Sequence, residues 1–152
     1  AQNIVLVPQP YFISVFGEGM LHNLGAERAE LSYPARRLLD AGMILPGSSD
    51  RPVAHGAPLS VIQAFAQRLT EAGNPYGANE RISVAEAIHA YTVGSAQATG
   101  WGHKKGVLLP GYLADLVVLG ANPLEVDVAE IAQIPVVATM VDGTFEFGQL
   151  TA

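Results

Sequence analysis

Residues 43–53 read MILPGSSDRPV. A short apolar run, Met43–Leu45, ends in Pro-Gly, then come two serines, an aspartate, an arginine and a second proline. Two readings compete. Ser, Asp, Gly and Pro are the residues of turns, each for its own backbone reason, and Asp50 is then a turn residue. Alternatively Met43–Leu45 is a buried strand and Asp50 stands at its C-terminal mouth. That is the end at which parallel α/β proteins place their catalytic side chains. The residues on either side bear on the choice.

Before the stretch, YPARRLLDAG reads as a helix. Pro34 suits a first turn and Gly42 a C-terminal cap. After it, APLSVIQAFAQRLT reads as a second helix, with Leu59, Ile62, Phe65, Ala66 and Leu69 at spacings of three and four. A loop, AGNPYGANER, follows. Ser83 and Glu86 then form an S-x-x-E capping box before AEAIHAYTVGSAQATG, the clearest helix of the chain. Ala87, Ile88, Tyr91 and Ala98 give that helix a broad apolar face. Gly94 costs about 1 kcal/mol against Ala in a helix interior, so close packing is the expected reason for it.

Further out, Ile4–Val7 reads as a buried strand stopped by Pro8 and Pro10. Tyr11–Phe16 is apolar, and GEGMLHNLGAERAE after it reads as a loop with a short helical piece. Beyond Gly100 the texture changes. Val107–Leu109 and Leu116–Leu119 are strand-like. PVVATMVDGTFEFG reads as a hairpin around Asp142-Gly143. The order strand, helix, strand, helix, helix fits βα units, and the tail fits a small antiparallel piece.

The 152 residues suffice for one ordinary domain. Hydrophobic residues make up 49% and charged residues 14%, against about 25% charged in a typical soluble domain. The mean hydropathy is +0.27. A surface this poor in charge is expected to face other protein in part. No apolar run approaches the ~18 residues of a membrane span. The net charge of −6 and the lack of a basic stripe argue against nucleic acid or an anionic membrane as partner. Without cysteine the chain has no disulfides and no thiolate metal ligands, which leaves the compartment open, with the cytoplasm as default. AQNIVLVPQP at the start has no Met and no basic segment, so a secretory signal is not expected. A strand-like run this early reads as a chain cut from something longer.

Taken in order, QPYFI, LGAERAELSYPARRLLDAGMILPGSSDRPV, RISVAEAIHAYTVGSAQATG, KKGVLLPGYLADLVVLGANPLEVD and TMVDGTFEFG resemble the C-terminal part of the amidohydrolase superfamily. More narrowly they resemble amidohydrolase family 3, the branch with N-substituted formamide deformylases. The resemblance covers roughly residues 9–148. It implies a metal-dependent hydrolase on a (β/α)8 TIM barrel, flanked by a small β-sandwich made from both chain ends. A full barrel takes about 250 residues. The expected fold is therefore α/β: residues 1–101 the C-terminal portion of the barrel, residues 102–152 the C-terminal half of the composite sandwich. In such relatives the first strand carries His-x-His, and later strands a lysine or acid and two histidines. No His-x-His occurs here, and His22, His55, His89 and His103 are scattered. The resemblance thus implies a divalent metal, zinc first, in the full-length enzyme, with none expected on this chain alone.

By the same resemblance Asp50 matches an aspartate that binds the metal and shuttles a proton from metal-bound water to the leaving nitrogen. A carboxylate touching both can act as base and then as acid. Ser48 and Ser49 would orient it or cap the next segment. Arg51 could meet a substrate carboxylate or lie on the rim. His55, in the following loop, could touch substrate or relay a proton, or simply be solvated. Gln9 and Tyr11, at the end of the preceding strand, could line the pocket or belong to the core. His89 reads as a packed or half-exposed helix residue, and His22 and His103 as loop residues. Asp115 resembles a structural aspartate anchoring a turn or sheet, and Trp101 reads as a packing anchor.

Two functions follow. In the first, the parent protein hydrolyses a C–N bond of a small amide, formamide or cyclic amide. In the second, the chain is a catalytically inactive truncated or assembly piece that forms homo-oligomers, or needs the missing N-terminal part of the same protein. A weaker third reading makes residues 102–152 an independent β-rich binding module.

Overall fold

In the computed structural model, which describes residues 4–149, a series of helices leads into one three-stranded antiparallel sheet. Helix α1 (Tyr11–Leu24) starts directly after Pro10. It runs through Gly17 and Gly19, where the sequence suggests a loop. Gly17 is buried because α1 crosses the turn after α4 there: a Cβ would lie 2.6 Å from Thr70 Cγ2. The tertiary crossing thus offsets the helix cost of glycine. Gly25 ends α1 at φ 76°, its N–H donating to the Leu21 carbonyl.

Two short helices follow, α2 (Ala26–Ala29) and α3 (Ala35–Asp40). Helix α4 (Pro58–Gln67) has Pro58 in its first turn and ends at Arg68 in the left-handed region. Helix α5 (Val84–His89) begins with the reciprocal Ser83–Glu86 box, continues through a π-turn (Ala90–Gly94) and closes with α6 (Ser95–Ala98). Strands β1 (Leu116–Leu119), β2 (Val136–Val141) and β3 (Thr144–Phe147) lie in that order. Val117 faces Thr139, and Thr139 faces Phe147. Asp142 (φ 48°) and Gly143 (φ 81°) make the hairpin turn, both at the positive φ that strand twist favours there.

One core cluster joins α3, α4 and α5: Leu38, Val61, Ile62, Phe65, Ala87 and Ala90, together with Leu45 and Ile82. Ile131, in a 3₁₀ turn (Val128–Gln133), belongs to the same cluster. The Ala132 N–H donates to Gln63 Oε1 of α4 at 2.8 Å, so the segment before β2 is tied to the helical layer.

Three expected strands do not form. Ile4–Val7 is unpaired and exposed rather than a buried strand, with Ile4 59% accessible. Met43–Leu45 is irregular and unpaired, with only Leu45 buried. Val107–Leu109 is irregular, and Leu108 is 70% exposed. The reason is common to all three. A strand is defined by hydrogen bonds to a neighbour, and among the described residues none lies beside them. Gln9 and Tyr11 accordingly do not end a strand: Gln9 precedes α1 and Tyr11 opens it.

Three carboxylates are held below their ordinary range by hydrogen bonds. Glu86 is lowered chiefly by the Ser83 backbone N–H, Asp115 by Lys105 and then the Asp142 N–H, and Glu18 by the Thr70 hydroxyl and then the Asn74 amide. A folded-state value below the unfolded one adds stability above the ordinary carboxylate range, and that stability is lost as pH falls through the lowered value. Urea denaturation at pH 6 and pH 3 should show a loss at the lower pH. The double variant Glu86→Gln/Asp115→Asn should show a smaller loss; an unchanged difference would assign acid lability to other groups.

Candidate active site

The segment that carries Asp50 enters from the core. Leu45 and Pro46 are buried, Ser49 nearly so, and Asp50 emerges exposed. Asp50 adopts φ 55°, a left-handed backbone that Asp tolerates better than most residues. Its N–H donates to Ser48 Oγ at 3.3 Å, and its carbonyl accepts the Val53 N–H at 2.9 Å. Ser48 therefore does orient Asp50, through the backbone. The turn reading holds for this stretch: a tight turn presents the carboxylate, and the strand that the other reading places before it is unpaired among the described residues.

Arg51 and His55 line one shallow pocket with Pro52, Ala54, Gly56 and Ala57, at the start of α4. A Cβ on Gly56 would lie 2.7 Å from Arg51 Cδ, so the arginine stem lies along the Gly56 backbone. Among the described residues Arg51 has no ion-pair partner. His55 Nδ1 accepts the Ala57 N–H at 3.4 Å. His55 also walls a second pocket with Tyr11, Ser14, Ser60 and Gln63. The structure thus brings Arg51, His55 and Tyr11 around two adjoining pockets, and Asp50, which precedes Arg51 in the chain, lines neither of them. Gln9, half-buried, lines neither of them.

The sequence reading missed Ser14, Ser60 and Gln63, which reach the second pocket from α1 and α4. Their helical spacing to Tyr11 and Ala64 is the only local sign of them.

The remaining candidates lie elsewhere. His22, His89 and His103 are all exposed, so His89 is not packed. Trp101 is 48% exposed and is not a buried anchor. It stacks on His103 with ring centroids 6.4 Å apart, and Lys105 Nζ lies 5.5 Å from its ring centre. Asp115 binds Lys105 Nζ at 2.7 Å and accepts the Asp142 N–H at 2.8 Å, which pins the hairpin turn to the residue before β1. A roomier cleft of about 690 Å³ runs between α6 and β1, but Asp115, its one carboxylate, is already engaged by Lys105. The chemistry therefore points to the Asp50 loop and not to the larger space.

Among the described residues no three His, Asp or Glu side chains come together to hold a metal ion. Asp50 alone does not make a metal site, and the residues present do not fit one without ligands from elsewhere.

The amidohydrolase family model matches residues 4–146. The chain belongs to the amidohydrolase family. The N-substituted formamide deformylase of Arthrobacter pascens is 32% identical over 135 residues, which are 87% of this chain and 25% of that protein. This amidohydrolase chain spans about a quarter of the length of the curated relatives it matches. Among solved structures, an uncharacterized metal-dependent hydrolase from Pyrococcus horikoshii OT3 is similar at TM-score 0.69 and 26% identity, over 81% of this chain and 25% of that one. A second, from Pyrococcus furiosus, is similar at TM-score 0.62 and 33% identity, over 77% and 23%.

Proposed function

We propose that this amidohydrolase chain is the C-terminal part of a metal-dependent hydrolase that cleaves a non-peptide C–N bond in a small amide, formamide or cyclic amide. Residues 1–101 would complete a TIM barrel and residues 102–152 a composite β-sandwich. The observation that carries the reading is the exposed Asp50 carboxylate on a turn anchored to the core, directly before Arg51, which walls a pocket with His55. Its support from outside is the 32% identity to a formamide deformylase.

In this reading Asp50 is one metal ligand and also the proton carrier: it takes a proton during attack on the carbonyl and returns it to the departing nitrogen. The divalent metal, zinc in our reading, would supply acidity to water and polarisation to the carbonyl. Its other ligands lie outside this chain. Arg51 and His55 would hold the substrate, with Tyr11 on the far side of His55; Gln9 would act through the start of α1 at most.

The test is a screen of formamides, acyclic amides and cyclic amides against the full-length protein, with metal content measured alongside. Hydrolysis that is lost on chelation and restored by a divalent metal is expected. No turnover by metal-loaded protein on any of the three classes would overturn the proposal.

A second reading concerns the 152-residue chain by itself: an inactive piece that self-associates or joins another chain. Ile4, Val53, Leu108 and Leu124 are each more than half exposed, and strands β1 and β3 are sheet edges. Exposed apolar surface and free edges favour association. Light scattering of the isolated chain at high concentration should show dimers or larger species, and a clean monomer would exclude this reading.

A further inference from the structure

The π-turn inside the helix over residues 84–98 is directed at the segment that carries Asp50. In an α-helix the Ala90 carbonyl would be bonded to residue 94; here it takes the Ser95 N–H, five residues on. The same carbonyl accepts the Gly47 N–H at 2.9 Å. The Ser95 hydroxyl lies 3.0 Å from the Gly47 oxygen and 3.1 Å from the Ala90 oxygen. Its single proton is therefore shared between the helix and the segment.

Two glycines permit this contact. A Cβ at Gly94 would run into the Leu45 carbonyl oxygen, and a Cβ at Gly47 into the Tyr91 ring. Leu45–Gly47 thus rests backbone to backbone on the π-turn. Gly94, Leu45 and Pro46 are all buried. Three residues beyond Gly47 stands Asp50, whose own turn is closed through Ser48. The chain between the clamp and the carboxylate is short enough to transmit a displacement of one to the other.

We propose that Ser95 is a positioning residue for Asp50: by holding the Gly47 carbonyl it sets where the carboxylate enters the site. This rests on the role given to Asp50 above. Misplacement by about 1 Å can cost on the order of a hundredfold in rate.

The experiment uses Ser95→Ala and Ser95→Thr in the full-length protein. In Ser95→Ala, kcat should fall about tenfold to a hundredfold while KM stays within about twofold. Ser95→Thr keeps a hydroxyl and should recover kcat to within about threefold of the parent. Amide exchange at Gly47 should quicken by about tenfold or more in Ser95→Ala, with the amide of Glu86, in the distant capping box, unchanged. A loss of stability with kcat intact would make Ser95 structural only, and equal losses in both variants would assign the effect to shape and not to the hydroxyl; either overturns the proposal. If the parent protein hydrolyses no amide, the function proposed above fails by itself. The clamp is then judged on the Gly47 and Asp50 amide signals: a shift in both on Ser95→Ala upholds it, and no change in either overturns it.

Discussion

Asp50→Asn in the full-length protein should lower kcat for amide hydrolysis by about 10²–10⁴-fold with the melting temperature nearly unchanged. Asn has the same shape and also tolerates the left-handed backbone that residue 50 adopts at φ 55°. The turn closed by Ser48 and Val53 uses only backbone atoms of Asp50, so it survives the change. What is lost is the ability to take a proton and return it, together with the anionic oxygen proposed to hold the metal. Steady-state kinetics and a thermal melt on the same preparation decide the matter. A kcat within about threefold of the parent would remove Asp50 from the chemistry, because general acid–base catalysis contributes far more than that.

Arg68→Met should cost about 2–5 kcal/mol of folding stability, because it removes the donor from backbone carbonyls that cost about 1–3 kcal/mol each when orphaned. Arg68 is completely buried at the end of α4. Its Nε donates to the Tyr76 carbonyl at 2.9 Å, and its two terminal nitrogens donate to the carbonyls of Tyr33 and Ser32, each at 3.0 Å. Methionine fills much of the volume but orphans the Tyr76 and Ser32 carbonyls, while the Tyr33 carbonyl keeps the Ala35 N–H at 2.8 Å; each orphan costs about 1–3 kcal/mol. Burial pushes the guanidinium down to about 10, with Glu80 opposing, so it remains a cation at neutral pH. Glu80 is itself buried and binds both the Arg37 backbone N–H and the Arg37 guanidinium. A loss of this size is a large part of a typical total of about 5–15 kcal/mol. Urea denaturation measures it. Arg68→Lys should recover only part, since one ammonium cannot reach three carbonyls in a fixed fork. A loss under about 1 kcal/mol would mean that the carbonyls find other donors.

Asp50 was legible as a candidate from the residues around it, and the pockets walled by Arg51, His55 and Tyr11 were not. Arg51 and His55 could be suspected because they follow Asp50 in the chain. Ser14, Ser60 and Gln63 could not, since they come from helices whose relative packing no local pattern encodes. Nothing in the local sequence around Arg68 marks it as buried. Only the folding of residues 32–33 and 76 around it turns it into a buried tie.

By itself the sequence determined what is decided within a few residues: α3 and α4 with their flanking prolines and glycines, the Ser83–Glu86 capping box, and the hairpin at Asp142-Gly143. Caps, apolar spacing and turn chemistry act over one or two turns of chain, so their energies are present before any tertiary contact. Tertiary structure alone decided the continuous helix through Gly17, the π-turn at Ala90–Gly94, the burial of Arg68, and the absence of paired strands at Ile4–Val7 and Met43–Leu45. Each depends on what lies across from it: a crossing side chain, a neighbouring backbone carbonyl, or a strand partner. A helix carries its hydrogen bonds within itself, and a strand does not.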